Sequence, residues 1–495
     1  MASTHHKIDP AEAIDPLILG LDVGSTASRG GLYDAAARPL EGPRAKVPHA
    51  FTTAADGTSE IDPDAVVDEI EQILDLLATP DLRGRIGGVA IDTFSASLVG
   101  VDARGRAVTP CYTYADSRCA AQVRELRDEL DEQDVLQRTG TRLHSSYLPA
   151  RLRWLAATDR AAFSAVDRWM SLGEYVHLRI IGTAVVGTAA AAWTGLLDRR
   201  TGAWDERMVE TSGIDVAQLS PVHDPDLPVR EVSARVAERW PALAGAAWYP
   251  VIADGLASNV GVGATAEGTV ALAAATSGAM RVLLHQIPQT IPSGLWCYRV
   301  DARRSLLGGA LNDVGRVVTW LEQTLRVPDD VGAVLAADPD PATPTVLPYL
   351  SGERSTGWAA QARATITDVG AAATAELIYR GAMEGVALSY ARVAEELAGA
   401  AGTHAHEIRA AGRVAADLTP WLQVVADGLD ADVRHVTNKR TTLRGTALIA
   451  LESLAPDVPR SEPTIGATFE PVPARRGYYD ERARRYQDVY AALVR

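Results

Sequence analysis

The stretch Leu17-Ile18-Leu19-Gly20-Leu21-Asp22-Val23-Gly24-Ser25-Thr26-Ala27-Ser28-Arg29 decides how this chain is read. Residues 17–21 carry no charge and predict a buried strand. The strand runs into a tight turn of glycine and hydroxyl residues. Such a turn offers backbone N–H groups and short hydroxyls to an anion, with no bulky side chain in the way. A counterpart stands about 250 residues later, where Val270-Ala271-Leu272-Ala273-Ala274-Ala275 runs into Thr276-Ser277-Gly278-Ala279. One such turn in each half of the chain predicts two lobes that hold one polyphosphate from both sides.

Outward from the first turn, strand signals alternate with helical ones, which indicates an α/β class. Residues 17–21 and 30–33, with a turn at Asp34, predict a hairpin, and further strands are expected at 88–91 and 97–102. Asp62-Pro63 opens a helix in cap-then-proline order, and Val66, Ile70, Ile73, Leu74 and Leu77 form its apolar stripe. No Gly-x-Gly-x-x-Gly opens a helix, so this is not a Rossmann βαβ unit. Residues 120–245 read as helices and loops rich in tryptophan, with 221–229 as a surface excursion. A strand at 248–253 delivers Asp254-Gly255 into a turn and helix. Past Thr269 the strand–turn–strand style resumes, which places a lobe boundary near 265. The last helix, expected from Asp480 to Val494, puts Tyr486, Val489, Tyr490 and Leu493 on a packing face.

With 495 residues the chain has room for several domains and large cores. A formal charge of −15 argues against a nucleic-acid partner, whose phosphates such a surface would repel. Cys111, Cys119 and Cys297 have neither disulfide-framework nor metal-knuckle spacing and read as reduced thiols of a cytoplasmic protein. Residues 1–16 are polar and acidic, lack a signal-peptide core and read as a disordered tail that includes His5-His6. No apolar run reaches membrane-spanning length, so no membrane partner is expected. Lysine is very scarce, and no Gly-x-x-x-x-Gly-Lys-[Ser/Thr] element exists, which excludes a P-loop. Protein-kinase signatures are also missing.

Several stretches, taken in order, resemble the FGGY family of carbohydrate kinases, within the actin, sugar kinase and Hsp70 superfamily. Residues 22–29 resemble the family's first phosphate motif and Ala275-Thr276-Ser277-Gly278 its second. Tyr114-Ala115-Asp116-Ser117-Arg118 resembles a Trp-x-Asp-x-Arg near the sugar pocket. Leu347-Pro348-Tyr349-Leu350-Ser351-Gly352-Glu353-Arg354 resembles Leu-Pro-x-Leu-x-Gly-Glu-Arg. Residues 408–412, with Trp421-Leu422-Gln423 and Ala426-Asp427, resemble the adenosine-side motif. The resemblance spans residues 17 to about 454. Within the family, 253–259, 276–281 and 171–176 look most like gluconate kinases. Three positions depart from the pattern: Ser95-Ala96 where Met-His is common, Gly412-Arg413 in place of Gly-Gly, and Arg440 where Glu is frequent.

The resemblance implies two RNase-H-like, actin-like ATPase lobes around a central cleft. The sugar-binding lobe would be 17–265, the nucleotide-binding lobe 266–456, and 457–495 an extension with a packing helix. It implies transfer of the γ-phosphoryl of ATP, with Mg²⁺, to a hydroxyl of a small sugar or sugar acid. Gluconate is favoured; xylulose, ribulose and polyols are the alternatives, as is a catalytically idle sensor on the same fold. An ATPase acting on protein partners is a third class. Asp254 is expected to be the general base and to touch the substrate, with a helix N-cap as its plain alternative. Asp22 is expected to organise Mg²⁺ through water. Gly24, Ser25, Thr26, Thr276, Ser277 and Gly278 would contact the β- and γ-phosphates, and Arg29 is either a phosphate ligand or a surface charge. Gly308, Gly309 and Asn312 resemble a stretch lining the nucleotide cleft, and Gly412 would let the backbone approach adenine or ribose. Asp116 and Arg118 are either sugar contacts or a structural salt bridge, and Glu353-Arg354 reads as a structural pair. The expected partners are the sugar and ATP, with a homodimer left open.

Overall fold

The computed structural model describes residues 7–43, 45–402 and 405–494; His5-His6 lies outside them. Two separate sheets organise the chain, each begun by one of the two glycine–hydroxyl hairpins. In the first, β1 (Leu17–Val23) pairs antiparallel with β2 (Ala27–Tyr33), which pairs with β3 (Lys46–Pro48). On its other edge β1 runs parallel to β4 (Ile86–Thr93), which in turn runs parallel to β5 (Ala247–Trp248) and β6 (Ile252–Ala253). In the second sheet β7 (Thr269–Ala274) pairs antiparallel with β8 (Gly278–Leu284) and parallel with β11 (Glu407–Ala411). The whole order is β9 (Trp296–Arg299), β10 (Ser305–Leu311), β8, β7, β11, β12 (Asp432–Val436), β13 (Ile465–Phe469). The two hairpins thus occupy equivalent places, each with its parallel neighbour on the same side.

Helices cover both faces of each sheet. On the first, α1 (Pro63–Leu77) starts at Asp62, whose carboxylate accepts from the Asp64 and Ala65 N–H groups, and buries Val66, Ile70, Ile73, Leu74 and Leu77. It lies so close to β2 that a Cβ on Gly30 would clash with Ile73 Cγ2. On the second sheet that outer role falls to α3 (Ala375–Ala401) and α4 (Trp421–Leu429), which share a core with β7, β8 and β11.

The inner faces meet through two helices, α2 (Asp254–Gly261) and α5 (Thr441–Leu454). Leu443, Ala447 and Leu451 of α5 pack on Ile18 and Ala90 of the first sheet. Leu256, Ala257 and Val260 of α2 pack with Leu283, Trp296, Tyr298 and Leu306 of the second. Where the helices cross, a Cβ on Gly261 would lie 2.7 Å from the Thr441 carbonyl carbon, and one on Gly445 2.6 Å from that of Ala257. Only glycine fits such an approach.

Several expectations are corrected. Residues 8–16 are not a loose tail: Ile8 donates to the Pro39 carbonyl at 3.0 Å and Ala35 N–H to that of Ile14 at 2.8 Å. The strand expected at 248–253 is two short strands, because Pro250 has no N–H for a continuous ladder. Val222–His223 pairs with Val186–Gly187 and Val229 bridges Trp248, so 221–229 is tied into the fold. The final helix, α6 (Arg476–Leu493), begins before Asp480; Tyr479, Arg482, Tyr486 and Tyr490 form its buried face, whereas Leu493 is exposed. All three cysteines are free and buried. Among the described residues no helix is long and apolar enough to cross a membrane.

Candidate active site

Three carboxylates converge where the parallel strands of the first sheet end. The β1–β4 register sets Asp22 opposite Asp92, and the β4–β6 register sets Thr93 opposite Ala253, so that Asp254 follows at the same edge. Asp92 is fully buried and Asp22 nearly so. Burial pushes the Asp22 carboxyl up to about 6; Arg29 opposes the shift and Asp254 adds to it. Burial also drives Asp92 well above the carboxylate range, with Asp22 adding to the shift. Thr446 on α5 donates its hydroxyl to Asp92 Oδ2, while Oδ1 has no partner. Asp254 is raised too, chiefly by burial, against the lowering influence of Ser95 and Arg281. Ser95 Oγ donates to Asp254 Oδ1 at 2.9 Å. Asp254 is the first residue of α2 and Ala253 holds the N-cap position, so helix capping does not account for this carboxylate.

Both turns present their hydroxyl residues outward: Ser25, Thr26, Thr276 and Ser277 are exposed, Gly24 is half-buried and Gly278 is buried. A layer beneath fixes the first turn. His49 bridges the Gly24 carbonyl at 2.7 Å and Glu69 of α1 at 2.8 Å. Burial lowers the ring's pKa, but the Glu69 carboxylate and the Gly24 carbonyl outweigh it, so the net shift is upward. Arg29 Nη1 lies 3.3 Å from Asp22 Oδ2 and close under Gly24, which makes it the partner of Asp22. The second turn is pinned by the Val314 N–H donating to the Thr276 carbonyl at 3.3 Å and the Gly315 N–H to that of Ala275 at 2.8 Å. A Cβ on Gly278 would meet Val314 Cγ2 at 2.7 Å.

The remaining expected residues divide. Asp116 and Arg118 engage each other: the buried Asp116 carboxylate accepts from Arg118 Nη2 at 2.6 Å and from the Ser59 N–H at 3.0 Å. Arg118 also pairs with Glu60 and stacks over Trp154 at 4.4 Å. Their bonds are spent on the protein, as in a structural salt bridge. Gly308 and Gly309 are buried within straight β10, where side chains would strike Trp296 and Val393, so packing explains both. Asn312 ties down the next loop through the Gly352 carbonyl at 3.0 Å. Gly412 has φ of 114° and abuts the Ala274 backbone, which places it at the foot of the second turn. Glu353 and Arg354 do not pair: Glu353 binds Arg392 at 2.8 Å and Tyr490, and Arg354 lies over the Trp358 ring at 5.8 Å.

Sequence reasoning missed Asp92, Ser95, His49 and Trp193. Asp92 follows the apolar run Val89-Ala90-Ile91 just as Asp22 follows 17–21, and that parallel is the signal that could have found it. Trp193 stacks on Tyr298 at 4.0 Å, and Tyr298 on Trp296 at 4.4 Å, which builds an aromatic wall beside Gly255. Among the described residues no group of three or more His, Cys, Asp or Glu side chains could hold a metal ion by itself.

Residues 17–261 match the N-terminal domain of the FGGY family of carbohydrate kinases, and residues 260–454 match its C-terminal domain. The chain is 24% identical to a gluconokinase of Bacillus subtilis over 88% of this chain and 87% of that protein. Among solved structures it resembles a gluconate kinase from Lactobacillus acidophilus, with 25% identity and a TM-score of 0.88 over 97% of this chain and 98% of that one. It resembles a xylulose kinase from the same organism equally well, with 25% identity and a TM-score of 0.88 over 96% and 98%. With both domain matches together spanning most of its length, and with two hairpin-led α/β lobes meeting at a carboxylate cluster, the chain belongs to the FGGY family of carbohydrate kinases and is a phosphotransferase.

Proposed function

We propose that this sugar kinase transfers the γ-phosphoryl of ATP to a hydroxyl of a small sugar or sugar acid, with D-gluconate favoured over xylulose, ribulose or a polyol. The lobe formed by 17–265 carries most of the sugar site and that formed by 266–456 most of the ATP site. The observation that carries the reading is the placement of Asp254. It stands at a strand end beside Asp22, is held by Ser95 and is raised by burial, which moves its basicity toward neutral pH. The acceptor oxygen attacks the γ-phosphorus, the bond to the bridging oxygen of ADP breaks, and the acceptor's proton passes to a carboxylate oxygen of Asp254. Gly24, Ser25 and Thr26 on one side, and Thr276, Ser277 and Gly278 on the other, hold the β- and γ-phosphates with N–H and hydroxyl donors. Arg29 keeps Asp22 oriented, and Gly412 supports the second turn where the nucleoside enters.

Mg²⁺ fits the residues present. Asp22 and Asp92 are raised by crowding and burial, and Asp92 Oδ1 lacks a partner; a divalent cation near Asp22 would relieve both. With no three-ligand protein cluster among the described residues, Asp22 would hold the hydrated ion together with the phosphates. Bound there, Mg²⁺ would neutralise charge on the phosphates. The test is a coupled ADP-release assay with Mg-ATP against aldonates, ketoses and polyols. One strong responder supports the reading. ADP release indifferent to every acceptor would replace it with a plain ATPase.

A further inference from the structure

Beside Asp254 stands a group of hydrogen-bond donors with no acceptors. Among the described residues, every arginine that is not surface-exposed makes a hydrogen bond or ion pair, except Arg281 and Arg354. The Nε atoms of both are buried without a partner, and so is Trp193 Nε1. The three come from different places: Trp193 follows a short helix of the first domain, Arg281 lies on β8, and Arg354 sits in the loop after residues 345–347. Trp193 and Arg281 meet over the start of α2, and Arg354 lies within electrostatic reach of Arg281. A Cβ on Gly255 would lie 2.7 Å from the Trp193 ring and 3.7 Å from Arg281 Nη2. Arg281 feels Asp254, Tyr298 and Arg354 together, and Arg354 also acts on Tyr298, Tyr147 and His144. His144 is driven down to about 3 by burial and by Arg354, so it is neutral and adds no charge.

A half-buried guanidinium without acceptors is costly, and the carboxylate that acts on Arg281 is Asp254. Arg354 has no ion-pair partner among the described residues and is left for a ligand. The nucleotide's phosphates are poor candidates: Arg281 lies three residues along β8 from Gly278, about 10 Å at the rise of a strand. Its surroundings are the Trp193–Tyr298 wall, which suits the C–H face of a carbon chain. A guanidinium fork matches a carboxylate in two parallel bonds. We propose that Arg281 and Arg354, with Trp193 Nε1, bind the carboxylate of a sugar-acid acceptor, so that this site selects aldonates over neutral ketoses and polyols. The inference rests on the phosphoryl-transfer reading for the direction in which the acceptor hydroxyl lies.

Calorimetric titration of the full-length protein with D-gluconate and with D-xylulose, without ATP, tests binding apart from chemistry. ADP release with both acceptors then follows in Arg281→Gln, Arg354→Gln and Arg281→Lys. The expected result is a wild type that binds gluconate. Each Gln variant should weaken that binding, and raise its KM, by about 10- to 100-fold, and Arg281→Lys should recover part of the loss. The Kd for Mg-ATP, unchanged throughout, confirms that the variants fold. A wild type that binds and phosphorylates xylulose but not gluconate overturns the inference and leaves the kinase reading intact. Unchanged gluconate affinity in both Gln variants, or a loss of ATP affinity instead, overturns it as well. Gluconate binding that depends on both arginines but gives no ADP release would uphold the carboxylate site and sink the phosphoryl-transfer reading.

Discussion

At the scale of single residues, chemistry and stability pull Asp22 and Asp254 in opposite directions. Asp254→Asn keeps the shape and the Ser95 contact but cannot take a proton. Turnover should fall by about 10²- to 10⁴-fold, the usual worth of a general base, while ATP still binds by calorimetry. Asp22 makes a second prediction. Its folded pKa of about 6 exceeds the ordinary 3.8, so between these values the unfolded chain binds fewer protons than the folded one. Asp22's own contribution to the stability of the Mg²⁺-free protein should therefore fall as pH rises through about 4 to 6. Asp22→Asn should flatten that slope and raise the Mg²⁺-free melting temperature while abolishing activity. An Asp22→Asn variant whose melting temperature follows the same pH course as the wild type would contradict it. Asp22 and Asp254 were legible because each ends an apolar run and precedes a glycine within two residues. Asp92 was not, since only the parallel register sets it against Asp22. Nor could the sequence reveal that Ser95, a departure from the family pattern, holds Asp254, for 159 positions separate them.

At the scale of elements, the crossing of α2 and α5 has no room for a side chain at Gly261 or Gly445. Gly261→Ala or Gly445→Ala would place a methyl within 2.7 Å of a carbonyl carbon on the other helix, and backbone cannot rotate away as a side chain can. Overpacking of that kind costs about 1–3 kcal/mol or more, so either variant should melt at a lower temperature in calorimetry. Because Asp254 begins α2 and Thr446 of α5 donates to Asp92, both should also lose activity beyond the loss of folded protein. Full activity with a lowered melting temperature would show that the crossing holds the lobes together without setting the site. This contact was invisible in the sequence, where Gly261 and Gly445 stand far apart and neither belongs to a turn motif. The hairpins and α1 were visible because each is decided locally: alternation, a turn and a cap lie within about 20 residues. The division at Tyr249-Pro250 was foreseeable from the proline, whose missing N–H interrupts a strand wherever it lies.

At the scale of the whole molecule, the groups that must act together are distributed over two sheets. Asp22, Asp92 and Asp254 belong to the first; Thr276, Ser277 and Arg281 belong to the second. Tyr114 reports how near the two come: its hydroxyl interacts with Ser25 of the first turn and feels Arg316 and Arg354 across the cleft. Away from the cleft the sheets are joined through α2 and α5, and the first domain also packs directly on the second sheet, where the Cys297 N–H donates to the Gly140 carbonyl at 2.9 Å and the Tyr147 and Tyr298 hydroxyls meet at 2.7 Å. A polyphosphate gripped by both turns, and an acceptor touched by Asp254 and Arg281, would each bind the closed arrangement better than an open one. The two ligands then favour closure jointly. Small-angle X-ray scattering should therefore show a smaller radius of gyration with a non-hydrolysable ATP analogue and gluconate together than with either alone. The same pair should bind cooperatively in calorimetry, since a shift shared by two ligands is reciprocal. If the radius is unchanged with both ligands bound, the lobes are already closed. The exclusion of water that limits wasteful ATP hydrolysis would then rest on the acceptor filling the site, and a bound acceptor that lacks the reacting hydroxyl would slow hydrolysis of ATP below its rate without acceptor.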